Sequence, residues 1–213
     1  MLAPISRSYT SSLSGSQEVK TVPFVRNQSK LPKDLNVYMA YFDEWRKMWK
    51  GANLAYEYHF YRHFTYDLGG IRLSEIINDD IKFYGESNIH GVIEDGSQRC
   101  FFPTGLSFYT YARTLFDNSL SAEEIAEEYF SCAFGEDWKL LYDYLKRIEE
   151  KIPFEYVGGG RPNRHYYPEM REQILAAKEI TKEGRELIKA HYNSDARIQT
   201  VSVRLLEKHI EFV

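Results

Sequence analysis

Two strand-like runs begin 35 residues apart and enclose one amphipathic helix, and that spacing restricts the chain to few folds. From Leu54 to Tyr61 the side chains alternate. Leu54, Tyr56, Tyr58 and Phe60 share one face, and Ala55, Glu57, His59 and Tyr61 share the other. Ile89 to Ile93 is a short apolar run between Gly85 and Asp95-Gly96, which reads as a buried strand. Between them Leu73, Ile76, Ile77, Ile81 and Tyr84 recur at helical spacing. Strands joined by a helix-long crossover pair in parallel. The period is close to the roughly 31 residues per unit implied by about 250 residues in an eightfold (β/α) barrel.

Other segments extend the pattern. Met1 to Ile5 reads as an earlier strand, followed by a polar connection with a Ser-rich loop, Ser11 to Ser16. A helix then starts with Asp34 as N-cap and carries Leu35, Tyr38, Phe42, Trp45 and Trp49 on one stripe until Lys50-Gly51 ends it. A third helix follows Pro103, marked by Leu106, Tyr109, Ala112, Arg113 and Phe116. After Asn118 the pattern is helical throughout. Ser121 and Glu124 form a capping box, Gly135 stops that helix, and Asp137 to Lys151, Pro168 to about Tyr192 and Asp195 to Val213 continue the series. The expected class is α/β: a partial TIM-type (β/α) barrel of about three βα units over residues 1–118, then an all-helical region over 119–213. Three units cannot close a barrel that needs eight strands. The expectation is therefore part of a larger barrel, the alternative being an open three-stranded sheet covered by helices.

Composition narrows function. Lys plus Arg number 27 against 31 Asp plus Glu, a net charge of −4, which disfavours nucleic-acid and anionic-membrane partners. No run approaches the roughly 20 apolar residues of a membrane helix, and the start lacks a secretory pattern. A cytoplasmic location is expected on this chain alone, with any signal peptide placed on a missing N-terminal portion. Cys100 and Cys132 lack metal-ligand spacing and read as reduced structural thiols. The chain is rich in rings with a polar handle, 17 of its residues being Tyr, which suits wet amphipathic pockets as well as cores.

Chemistry concentrates at the strand ends. In a barrel, Glu57 and His59 face inward in the later half of their strand, where catalytic side chains project; on an edge strand the same pair would be solvated. Glu94 and Asp95 end the next strand, 37 residues after Glu57, so one crossover brings the acids to one rim. Adjacent strands lie about 4.8 Å apart, and retaining glycosidases separate two carboxyls by about 5 to 5.5 Å. Asp95-Gly96 is also an ordinary turn signal. Arg7, Arg62 and Arg99 belong on the same rim and suit a polar substrate, although Arg99 equally suits an ion pair with Glu94 or Asp95. Tyr58, Tyr61, Tyr66, Phe101 and Phe102 suit sugar stacking or core packing. His59 and His63 are four apart but straddle a strand end and a loop, so with Glu57 and Asp67 they make a poor zinc set. Gly158 to Gly160 matches no nucleotide fingerprint.

The stretch Tyr56-Glu57-Tyr58-His59, with Asp67-Leu68-Gly69-Gly70, Asp80-Ile81, Gly91-Val92-Ile93-Glu94-Asp95-Gly96-Ser97-Gln98-Arg99 and Phe102-Pro103-Thr104-Gly105, resembles the bacterial family called domain of unknown function 4838. Ala3 to Tyr9 is similar too, and the likeness covers about residues 1–155. It implies a glycoside-hydrolase TIM barrel followed by helices, distantly akin to α-glucuronidases and β-hexosaminidases, with this chain holding the last barrel strands. The barrel portion that bears the general acid in related glycosidases is then absent from the chain.

The resulting expectation is a glycoside-hydrolase-like portion that hydrolyses or binds an oligosaccharide without a metal or other cofactor. Glu57 would be the acid and Glu94 the nucleophile or base, with Arg7, Tyr58, His59, Asp95 and Arg99 on substrate. The competing expectations are a non-catalytic carbohydrate-binding or interaction module, and an inactive fragment that self-associates through exposed sheet edges.

Overall fold

The computed structural model of the protein describes residues 1–28, 30–61, 66–96, 101–157 and 168–213. Asp34 starts the first helix as expected: its carboxylate accepts the backbone N–H groups of Asn36 and Val37 and so caps α1 (Leu35–Met48). Leu35, Tyr38, Met39 and Phe42 of α1 are buried, whereas Trp45 and Trp49 of the expected stripe are about half exposed. β1 (Asn53–Glu57) follows and ends earlier than the alternation suggests. α2 (Ile71–Glu86) crosses over to β2 (Ile89–Glu94), which pairs with β1 in parallel and places Glu57 opposite Glu94. The βαβ unit is therefore present.

The expected strand from Met1 to Ile5 shortens to a single parallel bridge between Leu2 and Ala55. Leu2 N–H donates to the Leu54 carbonyl at 2.8 Å and Tyr56 N–H to the Leu2 carbonyl at 2.6 Å. Pairing stops there because Pro4 has no N–H and its carbonyl accepts from Arg7 N–H in a turn. The described strands thus form an open sheet and no closed barrel.

Among the described residues, one face of that sheet is covered and the other is open. Ala55 is packed with Leu13, Tyr38, Phe42, Tyr84 and Ile89, so α1, the 3-10 turn Leu13–Gly15 and α2 lie on the face that also carries Glu57. On the opposite face Leu54 and Ile93 are 44% and 45% exposed. A second small core of Phe60, Leu73, Ile77 and Ile81 joins α2 to α3 (Leu106–Phe116) through Phe108 and Tyr111.

The remaining chain is helical: α4 (Ala122–Phe134), α5 (Trp138–Lys151), the short α6 (Phe154–Val157), α7 (Pro168–Ala190) and α8 (Arg197–Phe212). Ser121 and Glu124 complete the expected capping box of α4, and Gly135 ends it. This region is not a separate lobe around its own core. Leu68, Ile71 and Leu106 from the preceding part pack into the same cluster as Phe130, Leu141, Leu145, Ile148 and Leu206.

A polar joint reinforces that cluster. Asp67 accepts the N–H groups of Gly70 and Leu73, while Glu149 of α5 accepts those of Ile71 and Arg72. All four N–H groups in a row at the start of α2 are thereby satisfied by two carboxyl groups from different parts of the chain. Burial and the neighbouring Asp67 push the Glu149 carboxyl up, because two close carboxyls resist double ionisation. Gly69 is required here, since a Cβ would stand 2.6 Å from the Glu149 carboxylate and 2.7 Å from the Leu145 carbonyl.

Candidate functional site

The side chains that the sequence places at the strand ends divide between the two faces of the sheet. Glu57 and His59 are fully buried on the helix-covered side, and Glu94 lies beside them with 5% of its side chain exposed. Tyr58, half-buried, and Asp95 belong to the alternate positions and therefore to the open face. The reading of Glu57 and His59 as residues facing an open mouth is corrected by this arrangement. They lie beneath α1, the Leu13–Gly15 turn and α2, and neither is solvated as an edge-strand pair would be.

Burial of these acids is made tolerable by partners far away in sequence. Arg7, itself 3% exposed, pairs with Asp80 of α2 through Nη2 and stands 3.6 Å from Glu57 through Nη1. Tyr9 and Tyr84 donate their hydroxyls to the two Glu57 oxygens. Burial first, then the field of Glu57, pushes both phenols well above their usual range, so they remain donors. The sequence expectation of Arg7 as a substrate ligand gives way to an internal ion pair, because its guanidinium is buried, pairs with Asp80 through Nη2 and lies over the Tyr9 ring at 4.1 Å.

His59 is held on both sides. Its Nε2 is 2.9 Å from Asp80 Oδ2 and its Nδ1 is 2.9 Å from Glu94 Oε2. A carboxyl group at each ring nitrogen favours a proton on both and hence a cationic imidazole. Burial opposes that charge, but the fields of Glu57 and Glu94 and the bonds to Asp80 and Glu94 outweigh it and push the ring up to about 10. Burial likewise opposes charge on Asp80, and Arg7 and His59 overcome it, holding the carboxylate below its usual range. The remaining Glu94 oxygen accepts Phe60 N–H at 3.3 Å.

Asp80 is the residue that sequence reasoning missed as a functional partner, although its position carries a signal. It falls on the same helical stripe as Ile76, Ile77, Ile81 and Tyr84, and an acid on a buried stripe demands a cation. Glu57, His59 and Asp80 offer ligand atoms within 4.8 Å of one another. Arg7 already supplies the positive charge that a metal ion would bring to Glu57 and Asp80, so this donor set fits an ion-pair network rather than a metal centre.

The open face has a different chemistry. Tyr56 and Tyr58 have ring centroids 5.3 Å apart, and Tyr58 meets Tyr61 edge to face at 6.2 Å. Burial, followed by the fields of Tyr56 and Asp95, raises the Tyr58 hydroxyl above its ordinary value, which places the Asp95 carboxylate within electrostatic reach of the ring. Gly96, at φ +80°, lets the β2 exit pass closely over the β1 exit: a Cβ there would lie 2.8 Å from the Phe60 carbonyl oxygen. Tyr58, Tyr61 and Asp95 are thereby drawn to one end of the sheet.

Arg62, His63, Arg99 and Cys100 lie outside the described residues. Cys132 is a free, exposed thiol. No helix among the described residues is long and apolar enough to cross a membrane. Comparison of the chain with protein-family models, with curated proteins and with solved structures finds no match in any of the three.

Proposed function

We propose that the chain is the C-terminal portion of a glycoside-hydrolase-like (β/α) barrel and that, by itself, it binds an oligosaccharide rather than hydrolysing it. The observation that carries this reading is the Tyr56 and Tyr58 pair on the face of the parallel sheet that is open among the described residues, with the Tyr61 ring edge-to-face against Tyr58 and Asp95 at the C-terminal end. Aromatic faces stack on the C–H faces of sugar rings, and a nearby carboxylate accepts their hydroxyls. The parallel βαβ unit, the Leu2 bridge that adds a third chain segment, and the resemblance of the strand-end motifs to a barrel glycosidase family support the larger architecture. Parallel sheets are ordinarily covered on both faces, so the open one suits additional barrel strands and a bound ligand at their mouth.

Binding is favoured over turnover because the acid pair is incomplete at that mouth. Glu57 is closed off from solvent and its oxygens are engaged by Tyr9, Tyr84 and Arg7. Glu94 lies on the same covered side, with 5% of its side chain exposed and an oxygen 2.9 Å from the His59 ring.

Glycan-array screening of the purified chain, followed by calorimetry, tests this reading. The expected outcome is oligosaccharide binding without release of reducing sugar, weakened about tenfold, or ~1.4 kcal/mol, by Tyr58→Ala. Binding untouched by Tyr58→Ala and Tyr61→Ala together would remove the tyrosine face from the site. Light scattering would expose the competing outcome, an assembly formed through the β2 edge, which among the described residues pairs on one side only.

A further inference from the structure

Residues 19–33, in the connection that leads into α1, combine exposed apolar side chains with charge of one sign. They carry Lys20, Arg26, Lys30 and Lys33 and no acid. All four bases are exposed, and none forms an ion pair among the described residues. Phe24 is 82% exposed and Leu31 70%, with Val19, Val22 and Val25 exposed beside them. The segment is nevertheless held at its base. Gln17 N–H donates to the Asn36 side chain at 2.7 Å, the Tyr41 hydroxyl to the Val22 carbonyl at 2.8 Å and the Ser6 hydroxyl to the Pro32 carbonyl at 2.7 Å. Gln28 N–H returns to the Val25 carbonyl at 3.0 Å, and Asn27, at φ +64°, turns the tip.

The apolar surface continues onto α1. Val22, Phe24 and Leu31 line a groove of about 1040 Å³ together with Val37 and Tyr41 of that helix. Tyr41 also lines an adjoining groove of about 410 Å³ with Met1, Trp45 and Met48. Met48 is 74% exposed, and Tyr41, Trp45 and Met48 recur at helical spacing on one stripe of α1. The acids that follow Tyr41 are each matched by a base, Asp43 by Arg46 and Glu44 by Lys47. They leave the positive charge of the loop uncancelled.

We propose that this face, loop 19–33 with the Tyr41, Trp45 and Met48 stripe, docks on the surface of an anionic lipid bilayer, with Phe24 and Leu31 inserted and the four bases at the headgroups. Charge complementarity selects this occupant. The centres of protein–protein interfaces are depleted of Lys. Sugars and nucleobases stack on aromatic rings and draw no comparable gain from Val22, Val25, Leu31 and Met48. Interfacial membrane anchors, by contrast, join Trp, Phe and Leu to Lys and Arg, whose stems lie along apolar surface while their charges stay in water. The whole-chain charge of −4 counts against such a partner only as an average. A membrane surface field falls off within about 10 Å at 0.1 M salt, so it acts on the charges nearest to it. The protein lies on the bilayer in this arrangement and does not span it. The tyrosine face is across the sheet from α1, so the oligosaccharide reading and this one stand or fall separately.

Co-sedimentation of the full chain with lipid vesicles tests the proposal. The chain is expected to partition onto phosphatidylcholine vesicles containing about 30 mol% phosphatidylglycerol, and about tenfold more weakly onto pure phosphatidylcholine. Raising NaCl from about 0.1 M to about 0.5 M is expected to release it. Phe24→Ser should weaken partitioning about tenfold and Lys30→Gln about fivefold. Both side chains are exposed, so both variants should keep the wild-type melting temperature. Val201→Ser, on an exposed position of α8, is the control and should partition as the wild type does. Absence of partitioning, indifference to phosphatidylglycerol and salt, or equal losses in Phe24→Ser and Val201→Ser would each overturn the proposal. So would a dimer in sedimentation velocity that Phe24→Ser converts to a monomer, because the face would then belong to a second copy of the chain.

Discussion

Two histidines, one in each half of the molecule, are completely buried and behave in opposite ways. His59 sits between two carboxylates and is charged. His209, in α8, sits among rings: Phe102 at 5.8 Å and Tyr144 at 6.1 Å between centroids. Neither of its nitrogens makes a side-chain hydrogen bond among the described residues, and burial pushes it down to about 4, opposed only by the backbone of Leu68. Burial thus fixes neither the sign nor the presence of charge. What decides is whether the fold brings ionised partners with it, as the sheet half does and the helical half does not.

Removing a partner from the sheet half breaks that contrast most forcefully. Arg7→Met would leave Asp80 and Glu57 buried with one cation fewer, and urea unfolding at pH 7 is expected to register a loss of about 3–5 kcal/mol. The corresponding change in the helical half, Arg147→Met, removes an exposed pair with Glu183 and should cost less than about 1 kcal/mol. Similar losses for the two variants would mean that the Arg7 network is not a buried one.

The two rings also predict different pH limbs. For His209 the folded value lies below the ordinary 6.5, so the unfolded chain takes up a proton first and stability falls as pH drops from about 6.5 to 4. The full effect is about 3 kcal/mol. His59 has a folded value above 6.5, so its contribution is complete below that pH and is lost as pH rises through about 10. His209→Phe should therefore flatten the acid limb and leave the alkaline limb in place, as read from melting temperature against pH. A flattened alkaline limb instead would reverse the assignment of the two rings.

Between the halves, the joint at the start of α2 gives a smaller and sharper test. Glu149→Ala withdraws the acceptor of the Ile71 and Arg72 N–H groups, and a loss of about 2 kcal/mol is expected, at the upper end for a helix cap. Because Glu149 belongs to α5 and the bonds it accepts belong to α2, hydrogen exchange should quicken at Ile71 and Arg72 as well as in α5. Faster exchange confined to α5 would show that the capping carboxyl is not what holds the two together.

The sequence is most legible where structure is decided locally. Asp34 and Ser121 announce their helices because an N-cap acts on the N–H groups two or three residues onward. The parallel pairing of β1 and β2 follows from the length of the crossover. The covered face of β1 is not legible in the same way, since its aromatic alternates look more like core than Glu57 and His59 do. The polar face is buried because Arg7 and Asp80, 73 residues apart, supply the compensating charges, and no window along the chain displays that meeting. For the same reason Glu57 resembles a rim acid in the sequence: its position in the strand is local information, while its enclosure by Tyr9 and Tyr84 is not.

The smallest expected effect concerns the most local device. Ser121 donates its hydroxyl to Glu124 and accepts the Glu124 N–H at 3.1 Å, while Glu124 accepts the Ser121 N–H at 2.8 Å. All of these groups are exposed, so Ser121→Ala removes a capping bond without opening a cavity and should cost about 1 kcal/mol. Glu124 is held below its usual range by the same backbone and side-chain bonds. Losing the Ser121 hydroxyl should therefore bring the Glu124 carboxyl titration, followed by ¹³C NMR, back toward an ordinary glutamate. Neither histidine limb should move. A shift in the His59 or His209 titration on Ser121→Ala would show that charge in the two halves is coupled through α4, and the contrast between them would then belong to the whole molecule instead of to each ring's own neighbours.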